Sequence, residues 1–335
     1  MLDNGKAEGA RKIKQIEKYC LRDIAIVSQG FTFSRSYQGK KNLKWNYFKV
    51  ADIGINPNSK YLTNAINTIS DITMEEIGAL PFSKGSIVFP RVGAALFNNN
   101  KKILAQDGVV DDNVLVLTVT DTSKCWYEFL YYYLQGIPLA KWCNSGLVPV
   151  INTKTVLSQM VFLPPLPEQQ KIAAILSTQD KVIELKEKLL AQKQQQKKYL
   201  MQQLLTGKKR LPGFCEKWTR KQLGELFENR VEINRSDLGL LAITSTRGIL
   251  PRDCLDLKDN SSEDKSKYLR ICPGDIGYNT MRMWQGVSAY SEYEGIVSPA
   301  YTILAPMEGV YSRYFAYLFK TQSVIFSFYR FPKDL

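Results

Sequence analysis

The chain has no histidine among its 335 residues, and its six cysteines (Cys20, Cys125, Cys143, Cys215, Cys254 and Cys272) include no CxxC pair. Without imidazole, Ser-His-Asp and Cys-His catalysis and the HExxH metalloprotease are removed, since each needs it as base or ligand. The scattered thiols leave the common zinc spacings unfilled, so they read as reduced, mostly buried residues. A GxxxxGK[ST] phosphate loop is also missing, which argues against a hydrolase or kinase of the usual parts. No apolar run reaches the roughly 18 residues of a membrane span. The opening MLDNGKAEGARKIKQIEKYC holds no apolar stretch of signal-peptide type. A cytoplasmic protein with no membrane partner is the expectation.

The composition, 44% hydrophobic and 23% charged, is that of a globular chain long enough for two cores. The formal charge of +13 is unevenly spread: residues 166–210 carry ten basic and four acidic side chains, whereas residues 211–335 carry sixteen and fifteen. Total charge therefore supports phosphate contact only weakly, and any nucleic-acid binding by the flanking segments must come from local loops.

The strongest structural signal runs from Leu166 to about Thr206, LPEQQKIAAILSTQDKVIELKEKLLAQKQQQKKYLMQQLLT. It is rich in Leu, Lys, Gln, Glu and Ala, and has no interior Gly or Pro. Pro164, Pro165 and Pro167 stand at its start and Gly207 after its end, as helix start and stop signals should. Ile172, Leu176, Ile183, Leu190, Leu200 and Leu204 form a heptad-like seam, interrupted by Gln179, Lys186, Lys193 and Lys197. Such a seam predicts one long helix that needs a specific partner helix, because a polar helix without tertiary support is marginal in water. Its basic end, Lys193, Lys197, Lys198, Lys208, Lys209 and Arg210, suits phosphate, an acidic protein patch or plain solvent.

Two segments flanking this helix resemble each other. LRDIA, from Leu21, matches the opening WTRKQLGEL, from Trp218. FSKGSIVFPRVGAA (Phe82 to Ala95) then matches ICPGDIGYNTMRMWQG (Ile271 to Gly286), each a turn glycine, a short strand and an Arg-bearing loop. GVVDDNVLVLTVTDTSKCWYEFLYYYL (Gly108 to Leu134) matches GIVSPAYTILAPMEGVYSRYFAYLF (Gly295 to Phe319), each a β-rich run entering an aromatic helix. The expected architecture is α+β: a basic segment 1–20, a domain 21–165, the helix 166–210 and a related domain 211–335. In the aromatic helices, Trp126, Phe129, Tyr133 and Leu134, and Tyr314, Tyr317, Leu318 and Phe319, fall at core-packing spacing.

The run VFLPPLPEQQKIAAIL (Val161 to Leu176), entering a long Lys/Gln helix and ending LLTGKKRLPGF (Leu204 to Phe214), resembles the domain-to-spacer junction of type I restriction-modification specificity (S) subunits. In that family two variable target recognition domains alternate with two long coiled-coil spacer helices. The resemblance covers nearly the whole chain, though only the junction and helix are specific. It implies a non-catalytic subunit that selects a bipartite double-stranded DNA site for host defence. It further implies methylation (M) and restriction (R) subunits as partners, which bring S-adenosylmethionine, ATP and magnesium; this chain is expected to bind no cofactor or metal itself. One departure is large: the second half, as far as Leu335, holds no counterpart of GLVPVINTKTVLSQMVFLPPLPEQ (Gly146 to Gln170). The second domain is therefore expected to be incomplete and the second spacer helix lacking. The exposed seam would be capped by another chain, such as a second S chain, or left open. The basic stretch Lys6 to Lys18 is either a remnant helix near the spacer or a frayed tail.

Base reading favours Arg on guanine and Asn or Gln on adenine, with Lys on phosphate. Polar loops supply Arg35, Lys40, Lys41, Lys44, Arg91, Asn98, Asn99, Lys101 and Lys102 in the first domain. The second supplies Arg247, Arg252, Lys265, Lys267, Arg282 and Gln285. Arg91 and Arg282 lead, since both follow the repeated glycine-strand unit. Two rival readings are a coiled-coil protein-protein adaptor without DNA recognition, and an enzyme using carboxylates such as Asp111 and Asp112. A methyltransferase of the usual kind would need an [ND]PP[YF] loop, which Asn56-Pro57-Asn58 does not satisfy.

Overall fold

The alternating β-branched run VLVLTV forms the strand Val114–Val119, and its two faces enter two different cores. Leu115 and Leu117 pack with Leu21, Ile24, Ile87, Phe89 and Leu130, whereas Val114 and Val116 pack with Phe48, Val88 and Leu104. Side chains of a strand alternate between faces, so a strand covered on both sides reads as continuously apolar. The computed structural model describes residues 16–330 apart from 57, 145, 147, 246, 256–261 and 263. It divides the chain into two units, Met1–Leu189 and Leu190–Leu335.

In the first unit five strands lie in the order Ala25–Gln29, Val114–Val119, Ile87–Pro90, Lys102–Leu104, Tyr61–Leu62. The first three are antiparallel neighbours, with Ala25 opposite Val119 and Ile87 opposite Leu117. The last joins in parallel, with Tyr61 opposite Ile103. A second sheet holds Asn67–Ile69, Trp45–Phe48 and Val109–Val110. Gly30 sits where the two sheets meet; a Cβ there would lie 2.3 Å from the carbonyl oxygens of Val110 and Asp111, so a side chain would force the backbones apart. The aromatic helix Tyr127–Gln135 closes the larger core with Phe129 and Leu134.

The expected boundary at residue 20 falls inside a sheet. Glu17–Cys20 pairs antiparallel with Met160–Leu163, Glu17 opposite Leu163 and Cys20 opposite Met160, so residues 17–20 belong to the first unit. Most of the Lys6 to Lys18 stretch lies outside the described residues.

The second unit repeats the strand order: Phe227–Asn229, Tyr301–Pro306, Ile276–Asn279, Ser288–Tyr290, all antiparallel neighbours. Phe227 is opposite Pro306 and Ile276 opposite Leu304, so Ile276 holds the register position of Ile87 and Leu304 that of Leu117. Each first strand is preceded by one 3-10 turn, Leu21–Asp23 or Leu223–Glu225. Each last long strand leads into an aromatic helix, Tyr127–Gln135 or Ser312–Leu318. The packing expected of those helices holds for Phe129, Leu134 and Phe319, all buried, but not for Tyr317, which is 48% exposed. The thiols are all free, but of the six only Cys125 is buried; Cys20, Cys143 and Cys272 are partly exposed and Cys215 and Cys254 exposed, so the expectation of mostly buried thiols does not hold.

The long helix spans Leu166–Leu204. Gly207, at a φ of +70°, leaves the helical path, and the N–H of Lys209 returns to the carbonyl of Gln203 at 3.0 Å, a glycine-dependent helix stop. At the other end Gln169 is fully buried. Its Nε2 donates to the carbonyls of Lys124 (2.7 Å) and Pro164 (2.8 Å), and its Oε1 accepts the N–H of Trp126 at 2.9 Å. The PEQ sequence thus locks the start of the long helix to the start of the aromatic helix. Among the described residues, no helix is long and apolar enough to cross a membrane.

Candidate nucleic-acid interface

The loop before Trp45–Phe48 presents Arg35, Lys40, Lys41 and Lys44, all exposed. It is held against Asn67–Ile69 rather than left loose. The N–H of Gly39 donates to Asn67 Oδ1 (2.8 Å), the N–H of Leu43 to Thr68 Oγ1 (3.0 Å), and the N–H of Thr68 to the Lys40 carbonyl (2.9 Å). Lys40 lies over the Tyr37 ring and Lys44 over the Trp45 ring, at 5.6 and 5.0 Å. Lys44 also meets Asp71 at 2.7 Å; hydrogen bonds from Lys44 and Trp45 hold that carboxyl below its usual range. A pair this exposed contributes little to stability. Among the described residues, neither Arg35 nor Lys41 meets a carboxylate.

Lys101 and Lys102 correct the expectation: both are buried, at 2% and 3% exposure, and cannot reach a base edge. Lys101 Nζ donates to Asn99 Oδ1 (2.6 Å) and the Ile137 carbonyl (2.9 Å). Lys102 Nζ donates to the carbonyls of Asn56 (2.5 Å) and Ser59. Burial pulls each ammonium down to about 8. Asn99 is likewise structural: its φ of +54° ends the 3-10 turn Ala94–Asn98, and its Oδ1 also accepts the N–H of Leu139 at 2.9 Å. Asn98 remains exposed and Arg91 half-buried.

In the second unit Arg247, Lys267, Arg282 and Gln285 are exposed, while Arg252 and Lys265 are half-buried. Arg282 and Gln285 come together, Nε donating to Oε1 at 3.0 Å, which presets the guanidinium. Arg91 and Arg282 are not counterparts, however. The strand registers make Pro90 equivalent to Asn279, so Arg91 matches Thr280 and Arg282 matches Gly93. The two arginines lie two residues apart in the repeat, a shift that sequence similarity hid. Nearby, Arg230 and Arg270 are tied down by Asp275, Glu232 and Glu294 at 2.6 to 2.8 Å and serve the fold.

Along the long helix, Ile172 packs into the first core and Leu204 is half-buried. Leu176, Ile183, Leu190 and Leu200 are 39%, 51%, 59% and 42% exposed. Val182, Leu185 and Leu189 are exposed as well. These seam residues are thus left uncovered, as an apolar stripe interrupted by Lys186 and Lys193, and an exposed stripe of this kind suits an association surface. Of the basic end, Lys197 lies over the Tyr317 ring at 5.4 Å and Arg210 over Trp218 at 5.5 Å.

The carboxylates Asp111 and Asp112 serve a turn. Asp111 accepts the backbone and side-chain N–H groups of Asn113 at 2.9 Å, and Asp112 accepts the Thr32 hydroxyl at 3.1 Å. Among the described residues no group of acidic or thiol side chains converges as a metal site.

Comparison with known proteins adds to this geometry. The family described as type I restriction modification DNA specificity domain matches residues 13–195. The type I restriction enzyme MjaVIII specificity subunit of Methanocaldococcus jannaschii is 36% identical over 199 residues, covering 57% of this chain and 45% of the relative. The putative type I restriction enzyme MjaX specificity subunit of the same organism is 41% identical over 85 residues, covering 25% and 20%. The chain thus spans less than half the length of these curated relatives. The crystal structure of the type I restriction-modification S subunit from M. genitalium aligns over 97% of this chain and 82% of its own, with a TM-score of 0.57 at 14% identity. A chain from a structural study of type I R-M complex assembly and conformational transition aligns over 92% and 80%, with a TM-score of 0.52 at 14% identity. At that identity the likeness shows the fold.

Proposed function

This chain belongs to the type I restriction-modification DNA specificity family, and on that premise we propose that it selects a bipartite double-stranded DNA site for partner subunits and does no chemistry itself. The repeated strand order in two units carries the reading, because duplicated scaffolds bearing different exposed loops suit two different half-sites. In the first unit Arg35, Lys40, Lys41, Lys44, Arg91 and Asn98 are the contact set; in the second, Arg247, Arg252, Lys265, Lys267, Arg282 and Gln285.

The helix supplies the ruler. Its 39 residues at 1.5 Å each amount to about 58 Å, or roughly 17 base-pair steps of 3.4 Å. The unread spacer between half-sites follows from that length, as operator spacing follows from the geometry of dimeric repressors. The exposed seam from Leu176 to Leu200 is the surface for a partner helix, from methylation subunits or a second S chain. Restriction subunits join that assembly in the cytoplasm. S-adenosylmethionine, ATP and magnesium reside on those partners.

Selection from a randomised duplex library, with the methylation subunit present, tests the reading. The expected product is two fixed half-sites separated by a constant gap, and insertion of seven residues after Lys188 lengthens the gap. Absence of any duplex enrichment would favour the adaptor reading.

A further inference from the structure

The two units differ in charge at the cleft beside the aromatic helix. In the first, Lys60 stands directly before the strand Tyr61–Leu62, which pairs with Lys102–Leu104. Its buried ammonium meets Glu128 at 3.2 Å and the Ser177 hydroxyl of the long helix at 2.8 Å. Tyr132 donates to Asp180 of the same helix at 2.6 Å. One cation and two carboxylates thus close this cleft.

In the second unit Arg247 stands directly before Gly248–Pro251, a strand that pairs antiparallel with Leu241–Thr244 and lies against Ser288–Tyr290, the counterpart of Lys102–Leu104. Glu128 is the second residue of its aromatic helix and Tyr132 the sixth; the second and sixth residues of Ser312–Leu318 are Arg313 and Tyr317. The carboxylate that neutralises Lys60 is therefore an arginine here. The helix again contributes, but with Lys197, whose ammonium lies over the Tyr317 ring. Lys320 is the fourth cation lining the resulting cleft of about 360 Å3. Burial, and then the charge of Lys197, lower the pKa of Lys320, as desolvation and a neighbouring like charge both disfavour an ammonium. Among the described residues, the sole carboxylate in the lining is Glu292, which is exposed and meets Arg313 at 2.8 Å.

We propose that this cleft, bounded by Lys197, Arg247, Arg313 and Lys320, is an anion site that takes a phosphodiester group of the DNA backbone. The inference rests on the DNA-recognition reading. Each cation reaches the cleft from a different element, namely the long helix, the Leu241–Pro251 hairpin loop, the aromatic helix and the turn after it. A tetrahedral oxyanion suits convergent donors of this kind, and Arg313 and Lys197 are already oriented by Tyr290 and Tyr317. Backbone contacts of this type position a reading domain without reading sequence.

The test uses the full chain, with inorganic phosphate as probe followed by by 31P NMR. Saturable binding to wild type that weakens about tenfold or more in both Arg313→Glu and Lys197→Gln is expected; both sites are exposed, so neither change disturbs a core. Duplex binding should weaken equally on all sequences, with the slope of log affinity against log salt reduced by about one. No phosphate binding, or equal binding by all three proteins, overturns the proposal. Displacement of phosphate by polyglutamate but not by duplex would overturn the DNA assignment in favour of an acidic protein segment. Duplex binding with an unchanged salt slope in Arg313→Glu would sink the cleft alone and leave DNA recognition standing.

Discussion

The side-chain Oε1 of Gln169 accepts the backbone N–H of Trp126 at 2.9 Å, and with two further bonds from its Nε2 this buried amide joins the first residues of two helices. Replacing it with the apolar Gln169→Leu leaves the Trp126 N–H and two carbonyls without their partner. An unsatisfied buried polar group costs about 1 to 3 kcal/mol, so the first unit should lose at least that much in urea denaturation. An unchanged midpoint and slope would show that the amide is dispensable.

The buried lysines make stability depend on pH. Lys101 sits at about 8 in the folded chain, because burial disfavours its charge; unfolded, it returns to the usual value of about 10.4. Between these values the unfolded chain binds more protons, so stability rises with pH. The window to examine is about pH 8 to 10; unfolded thiols, which ionise at about 8.5, contribute equally to wild type and variant, so the difference between the two isolates the lysine. Lys101→Met should flatten the rise by up to about 1.4 kcal/mol per pH unit, measured by denaturant melts at several pH values. An equal slope in the variant would contradict the assignment.

Arg282, held by Gln285 at 3.0 Å, is the strongest base-reading candidate. Arg282→Ala should weaken binding to the cognate duplex by about 1 to 3 kcal/mol and relax preference at one position. Uniform weakening on cognate and random duplexes, read by fluorescence anisotropy, would reassign it to phosphate contact.

Ile183 and Leu190 are more than half exposed, so Ile183→Lys with Leu190→Lys should leave circular dichroism and thermal melting nearly unchanged. The same double variant should lose assembly with a partner helix in sedimentation velocity, since two charges would be buried in an apolar seam. Retained assembly would exclude this stripe as the interface.

Local chemistry accounts for much of what the residues announce. The long helix was legible because helix formers, start prolines and Gly207 act within a few residues of one another; it starts at Leu166 as expected and ends at Leu204, short of both Thr206 and the expected segment boundary at residue 210. The repeat was legible because strand alternation and aromatic spacing survive when letters diverge. Other properties depend on partners distant in the chain. Lys101 and Lys102 look like surface cations until the Ile137 and Asn56 carbonyls fold around them, and Glu17–Cys20 becomes a strand only by pairing with Met160–Leu163. The offset of Arg91 from Arg282 emerges from strand register, and the charge reversal at Arg313 from its helix position matching that of Glu128, in a cleft whose four cations come from separate elements. Hydrogen bonding and desolvation act through space, so the folded chain assigns each of these side chains its role.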